Sequence, residues 1–225
     1  MQTWCIPPKA DADFVYHMAD VLQTYQRPYD PQFPVVCMDE ASKPLIAAIA
    51  GPLPTKPGYA KRVDYAYERK GVCTQFVLCE PLRGWRHVQV TQRRTQRDWA
   101  QCIRALVNIY CPAAAKIPLV LDNLNTHTGS SLYATFPPAE ARRLLDHLEF
   151  HYTPKHASWL NIAEIELGVL NRQCLARRID NAQTMADEIA AWEAKRNADG
   201  VKLHWTFTIA VARAKLRKLY PSIED

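Results

Sequence analysis

Apolar residues recur at helical spacing near the start of the chain, where Phe14, Met18, Val21, Leu22 and Tyr25 share one face of residues 11–25 before Arg27-Pro28 stops the pattern. Pro31 and Pro34 lead into a continuous apolar run, Val35-Val36-Cys37-Met38, closed by Asp39, which predicts a buried strand over 35–39. Residues 40–72 are rich in Pro, Gly, Lys and Tyr and read as a long connection, a kind that is usually functional or partly mobile. Its cations are Lys43, Lys56, Lys61, Arg62, Arg69 and Lys70. Two further runs, Cys73–Glu80 and Trp85–Thr91, flank Pro81-Leu82-Arg83-Gly84 and predict a hairpin.

Thr95-Gln96-Arg97-Asp98 has the form of a capping box with Asp in the Glu position. The helix it opens turns Trp99, Cys102, Ile103, Leu106 and Tyr110 inward and ends near Pro112. A strand at 118–122 follows, then a helix begun by Pro137-Pro138 with Ala141, Leu144, Leu145 and Leu148 facing in, then a strand at Leu148–Tyr152. Long helices are predicted from about Trp159 to Arg178 and from Ala182 to Arg196, with Trp205-Thr206-Phe207 and a Lys/Arg-rich helix at 209–219 closing the chain. Antiparallel strands come first and βα units after. That order predicts an α/β fold, a mixed five-stranded sheet flanked by helices on both faces.

Composition narrows the class. The 225 residues suffice for one full core, and no apolar run is long enough to span a bilayer. The opening Met1-Gln2-Thr3-Trp4-Cys5-Ile6-Pro7-Pro8 matches neither a signal nor a transit peptide. Seven cysteines are scattered singly with no C-x-x-C pair, which argues against a zinc knuckle and for buried, reduced thiols in a cytosolic protein. A net charge of +5 permits nucleic-acid binding without requiring it.

The chemistry lies in three acidic residues. Asp39 and Asp122 each end an apolar run, and Glu164 closes Leu160-Asn161-Ile162-Ala163-Glu164 at the start of a helical pattern. An unpaired buried charge costs several kcal/mol. Each acid alone reads as a turn cap or a solvated strand end; Asp39-Glu40 is such an end. Together, two strand-end Asp residues and a helix-borne Glu match a site for Mg²⁺ or Mn²⁺, with two ions about 4 Å apart, suited to phosphodiester cleavage. Glu166 competes with Glu164 for the third place. The two lie about 200° apart around a helix. Glu164 shares its side with Asn161, Gly168 and Asn171, which leaves room for metal and DNA, so Glu164 is the candidate and Glu166 is assigned to a salt bridge or to solvent.

Other candidates cluster around these acids. His127 reads either as a turn histidine near Asp122 or as a group touching a scissile phosphate or orienting a water. Asn123 reads as support for the strand end, with DNA contact as the alternative. The loop His151-Tyr152-Thr153-Pro154-Lys155-His156-Ala157-Ser158-Trp159-Leu160 reads either as a loop with a Trp anchor or as a DNA-contacting loop. In the second reading Lys155 pairs a phosphate, and Tyr152, His156 or Trp159 stacks on an unpaired base. Arg93, Arg94 and Arg97 read first as a solvated charged face and second as a phosphate-binding cluster.

The stretches Cys37-Met38-Asp39-Glu40, Leu121-Asp122-Asn123-Leu124-Asn125-Thr126-His127-Thr128 and Thr153-Pro154-Lys155-His156-Ala157-Ser158-Trp159-Leu160-Asn161-Ile162-Ala163-Glu164 give the chain its family character. Tyr65-Ala66-Tyr67-Glu68-Arg69 and Arg172-Gln173-Cys174-Leu175 add to it. With them the chain resembles a DDE transposase of the bacterial insertion-sequence branch of the Tc/mariner superfamily. The resemblance implies a ribonuclease-H-like fold, a DDE triad of Asp39, Asp122 and Glu164, and Mg²⁺-dependent hydrolysis of a phosphodiester at an element end. Attack of the freed 3′-hydroxyl on target DNA, typically at TA, would follow without a covalent protein intermediate.

The resemblance also implies a homodimer pairing two element ends, no membrane or small-molecule partner, and a cytoplasmic, nucleoid-associated location. Family members carry helix-turn-helix modules before the catalytic domain. Here Trp4-Cys5-Ile6-Pro7-Pro8 reads as the junction after them, so residues 1–30 are expected to form a residual linker and helix and residues 31–225 the catalytic domain. Two other functions fit the same residues: a truncated, non-autonomous copy that inhibits full-length transposase, and a ribonuclease-H-type nuclease acting on another substrate.

Overall fold

The computed structural model describes residues 6–7, 9–49, 58 and 65–221. Asp11 starts helix α1 (Ala12–Tyr25) by accepting the Phe14 amide at 2.9 Å, which satisfies one of the orphan donors of the first turn. Five strands follow: β1 (Val36–Ala48), β2 (Tyr67–Glu80), β3 (Trp85–Thr91), β4 (Ile117–Leu121) and β5 (Leu148–Tyr152). They form one sheet in the order β3-β2-β1-β4-β5. β1 pairs antiparallel with β2 and β2 with β3, whereas β1 pairs parallel with β4 and β4 with β5. This is the mixed, ribonuclease-H-like sheet that was expected, with β1 at its centre.

Helices α2 (Gln96–Ala105), α3 (Gly129–Tyr133), α4 (Pro138–Asp146), α5 (Ile162–Gln173), α6 (Ala182–Ala198) and α7 (Ile209–Lys215) complete the chain. The pleat sends alternate residues of β1 to opposite faces. Val36 and Met38 join Trp99, Cys102, Ile103 and Leu144 on the side of α2 and α4. Cys37 joins Val120, Ile162 and Ala163 on the side of α5. On that same side Val77 and Val88 pack against Leu167, Leu170, Met185 and Ile189 of α5 and α6. Each such side chain removed from water contributes roughly 1.5–3 kcal/mol, so both layers are held firmly to the sheet. α1 closes on the C-terminal helix through Phe14, Met18 and Leu22 against Ala212, Leu216 and Leu219.

Several expectations change. Both described ends of the connection expected over 40–72 are strand and pair as a ribbon, because β1 runs on to Ala48 and β2 begins at Tyr67. Residues 67–72 of β2 are exposed, so backbone pairing extends the ribbon where no apolar alternation marks it. The register shifts once, between Leu45 and Ile46. Lys56, Lys61, Arg62, Cys5 and most of the Trp4–Pro8 junction lie outside the described residues.

The helix expected over 159–178 is interrupted. A single 3₁₀ turn, Ser158–Leu160, ends at Asn161, whose extended backbone (ψ 117°) restarts the chain as α5. The helix expected to end near Pro112 widens into a π turn over Leu106–Tyr110, where the Cys111 amide reaches back to the Leu106 carbonyl at 2.9 Å. α3 has only five residues, too few for a periodic signal. The capping box at Thr95 and Asp98 forms as expected. Among the described residues, Cys37, Cys73, Cys79, Cys102 and Cys111 are free and buried, Cys174 is free and half-buried, and no helix is long and apolar enough to cross a membrane.

Candidate active site

The parallel register pairs Cys37 with Val120. Two residues further along both strands, the chain reaches Asp39 and Asp122. Adjacent strands lie about 4.8 Å apart, so this register sets the two residues at neighbouring backbone positions, and the charge of Asp122 reaches Asp39. Asp122 follows β4, all five of whose residues are buried. Asp39 corrects the sequence reading: it lies inside a strand of 13 residues rather than at its end.

Asp39 is 6% exposed. Its Oδ1 accepts the Glu40 amide at 2.8 Å, while its buried Oδ2 has no hydrogen-bond partner. Burial and the charge of Glu164 push its carboxyl up to about 8; the Glu40 amide opposes the shift, and Asp122 and Glu40 add to it.

Glu164 stands in the first turn of α5, exposed to solvent. Asn161 puts it there. The Asn161 side chain caps α5 by accepting the Ala163 amide at 3.1 Å, and its Nδ2 donates to the Met38 carbonyl at 2.7 Å. One side chain therefore starts the helix and ties it to the residue before Asp39. Tyr25 of α1 reinforces the junction: its hydroxyl donates to the Leu160 carbonyl at 2.9 Å and accepts the Ile162 amide at 3.2 Å.

Glu166 turns the other way, fully buried. It pairs with Arg196 at 2.8 Å and with Arg86 at 3.4 Å, the salt-bridge role expected for it. Arg86 also donates to the carbonyls of Gly84 and Val201 at 2.8 and 2.6 Å. The fixed charges thus knit α5 to β3 and α6.

His127 is 1% exposed, and its ring stacks on Trp99 at a centroid distance of 5.6 Å. Nδ1 lies 2.5 Å from Oδ1 of Asp122. Nε2 lies 3.2 Å from Oε2 of Glu40, an ion contact without hydrogen-bond alignment. Burial opposes a charge on the imidazole, but Asp122 and Glu40 outweigh it and raise its pKa to about 9. Oε1 of Glu40 lies 3.6 Å from Arg94. Glu40, read from sequence as a solvated strand end, is therefore a buried partner of the site. So is Asn161, read only as part of a polar side of the helix.

The remaining candidates surround the acids. Asn123 is exposed directly after Asp122. Lys155 and His156 are exposed in the turn before Glu164, where His156 adopts a left-handed backbone (φ 63°). Trp159 is half-buried, edge-on to Phe207 at 5.8 Å, in agreement with the anchor reading of that loop. The Tyr152 hydroxyl donates to the His127 carbonyl at 2.9 Å. Arg93, Arg94 and Arg97 are exposed, and only Arg94 reaches the acidic cluster.

The donor set suits a hard cation. Asp39 Oδ2 is buried without a partner, and the charges of Glu164 and Asp122 raise the cost of ionising Asp39. A divalent ion held by these oxygens removes both penalties, and all-oxygen ligation favours Mg²⁺ or Mn²⁺ over softer metals.

The chain is similar to several solved structures. The paired-end complex of the Mos1 transposase with the left transposon end matches with a TM-score of 0.57 and 14% identity, over 89% of this chain and 62% of that one. The mariner Mos1 paired-end complex with Mg matches with a TM-score of 0.58 and 16% identity, over 99% and 67%. The catalytic domain of the Mos1 mariner transposase matches with a TM-score of 0.55 and 13% identity, over 88% and 91%. At these identities the likeness is one of fold. No curated protein matches the chain. The sequence profile described as DDE superfamily endonuclease matches residues 34–186, from just before β1 into α6. On that match, which spans more than half of its length, the chain belongs to the DDE superfamily endonucleases.

Proposed function

We propose that this chain is a transposase catalytic domain that cuts and joins DNA strands at Asp39, Asp122 and Glu164. The observation that carries the reading is the buried, unpartnered Oδ2 of Asp39 within the field of two further carboxylates. The family match and the fold it shares with transposases solved on transposon ends support it.

Asp39, Asp122 and Glu164 would hold Mg²⁺ or Mn²⁺, probed as one or two ions. Such ions supply Lewis-acid stabilisation of the attacking and leaving oxygens in phosphodiester cleavage. The residues do the rest. The neighbouring strand positions of the two Asp residues and the Asn161 bond that ties α5 to β1 support this reading. Lys155 and His156 lie in the turn before Glu164, where Lys155 pairs a backbone phosphate and positions the strand without reading its bases. Asn123 is exposed on the same rim.

The partner is DNA: the ends of an insertion element and a target, TA in this reading, brought together by a homodimer acting on the bacterial nucleoid. The chain spans 62% of the Mos1 transposase chain it matches first, and recognition of element ends belongs to this proposal. The test is nicking of supercoiled plasmid and joining of pre-cut ends with Mg²⁺ or Mn²⁺, with Asp122→Asn beside the wild type. Metal-dependent cleavage lost in the variant is expected. Equal cleavage by both proteins, or none by either on any DNA, would overturn the reading.

A further inference from the structure

Glu40 and His127 lie on the opposite face of the sheet from Asp39. The pleat sends Glu40 to the side of Val36 and Met38, where Trp99 and Cys102 form the apolar wall. A carboxylate on that side is costly unless it serves a partner. Its neighbours are Nε2 of His127 at 3.2 Å and Arg94 at 3.6 Å. The imidazole cannot swing freely. Trp99 stacks on it, Tyr152 holds its carbonyl, and its amide donates to Leu124 at 2.9 Å. Its other nitrogen meets Asp122 and engages only Oδ1.

We propose that Glu40, acting through His127, is a positioning residue that locks the Asp122 carboxylate in the rotamer presenting its other oxygen to the cation. This rests on the metal site proposed above. The line of contacts crosses the sheet: a buried acid on one face orients the ring, and the ring orients an acid on the other. The ring holds the Asp122 carboxylate by that hydrogen bond, so without it the side chain regains rotamers and loses entropy on meeting a cation.

The same three groups could instead grip an ion directly, since one ligand atom of each lies within 4.8 Å of the others. Nδ1 and Oδ1 instead face one another as a hydrogen-bonded pair, and nitrogen coupling to a bound ion separates the two arrangements.

The experiment measures Mn²⁺ binding to the metal-free chain by electron paramagnetic resonance of free Mn²⁺, with pulsed detection of ¹⁴N coupling to the bound ion. His127→Ala and Glu40→Ala should weaken binding by about 10- to 100-fold, the usual cost of losing an outer-shell partner. His127→Asn places an amide donor where Nδ1 stood and should restore part of the binding, since it keeps the Asp122 bond and loses the Glu40 contact. His127→Gln places it where Nε2 stood and should not. Glu40→Gln keeps an acceptor and should restore binding. The Asn/Gln contrast decides the matter even if the alanine variants do not fold.

Equal affinity in His127→Asn and His127→Gln, or unchanged affinity in both alanine variants, would overturn the inference. So would an imidazole ¹⁴N coupling lost with His127, which marks a direct ligand. If Asp39→Asn binds Mn²⁺ as the wild type does, the metal site itself fails, a result distinct from the others.

Discussion

The amide of Asn161 donates to the carbonyl of Met38 across 2.7 Å and, from its other end, caps the helix that carries Glu164. This single side chain couples the central strand to the third acid. Replacing it with alanine removes a cap worth about 1 kcal/mol and strands a buried carbonyl at about 1–3 kcal/mol. Asn161→Ala should therefore lose about 2–4 kcal/mol in urea titration. Asn161→Asp keeps the cap and loses the donor, so it should retain more stability yet cleave DNA as poorly as the alanine variant. Full cleavage by Asn161→Asp would show that the strand contact does not place Glu164.

The two glutamates of α5 should separate stability from chemistry. Glu166 is buried between Arg86 and Arg196, so Glu166→Ala leaves buried cations uncompensated and should cost about 3–5 kcal/mol. Glu164 is exposed, so Glu164→Gln should change stability by less than about 0.5 kcal/mol and abolish metal-dependent nicking. Denaturation and plasmid nicking on both variants check this; a stable, inactive Glu166→Ala would reverse the assignment.

Asp39 gives the metal-free protein a pH signature. Its folded carboxyl titrates near 8, against an ordinary value of 3.8, through burial and the charge of Glu164. Between those values the folded state holds a proton that the unfolded chain has released. Stability from this group is therefore full below about pH 4 and lost as pH rises toward 8. Thermal melts in chelator at pH 5, 6.5 and 8 should fall with pH in the wild type and fall less in Asp39→Asn, which should melt several degrees higher at pH 8. Parallel slopes in the two proteins would remove Asp39 as the cause.

Gly84 carries a structural requirement remote from the acids. Its backbone is left-handed (φ +74°), and an added Cβ would sit 2.7 Å from the Gly200 carbonyl oxygen. Backbone meets backbone here, so neither side yields readily. Left-handed strain alone costs about 1–3 kcal/mol, and Gly84→Ala should lose at least that much. Because Arg86 donates to the same residue's carbonyl, the loss should also loosen α6, seen as faster amide exchange in that helix.

β4 and the start of β1 could be read from the sequence because Ile117–Leu121 and Val36–Met38 are buried on both faces and form unbroken apolar runs. Asp39, Asp122 and Glu164 stood out as charges against those runs. The ribbon beyond Ser42 could not be read, since residues 67–72 are exposed throughout and Pro44 breaks the strand signal on the β1 side. Glu40 was hidden by its neighbour: two adjacent acids look like one solvated end, although a strand must send them to opposite faces. Asn161 lay inside what looked like one helix from 159 to 178. Its cap could have been found there, since Asn followed by an apolar run marks a start as well as an interior position.

The register shift at Leu45 and Ile46 acquires a mechanical meaning from its place in β1. Its outer side is pinned, because the Ile46 amide donates to the Ile179 carbonyl at 2.7 Å. The described ribbon is thus anchored, at the step where its pairing slips, to the segment that joins α5 to α6.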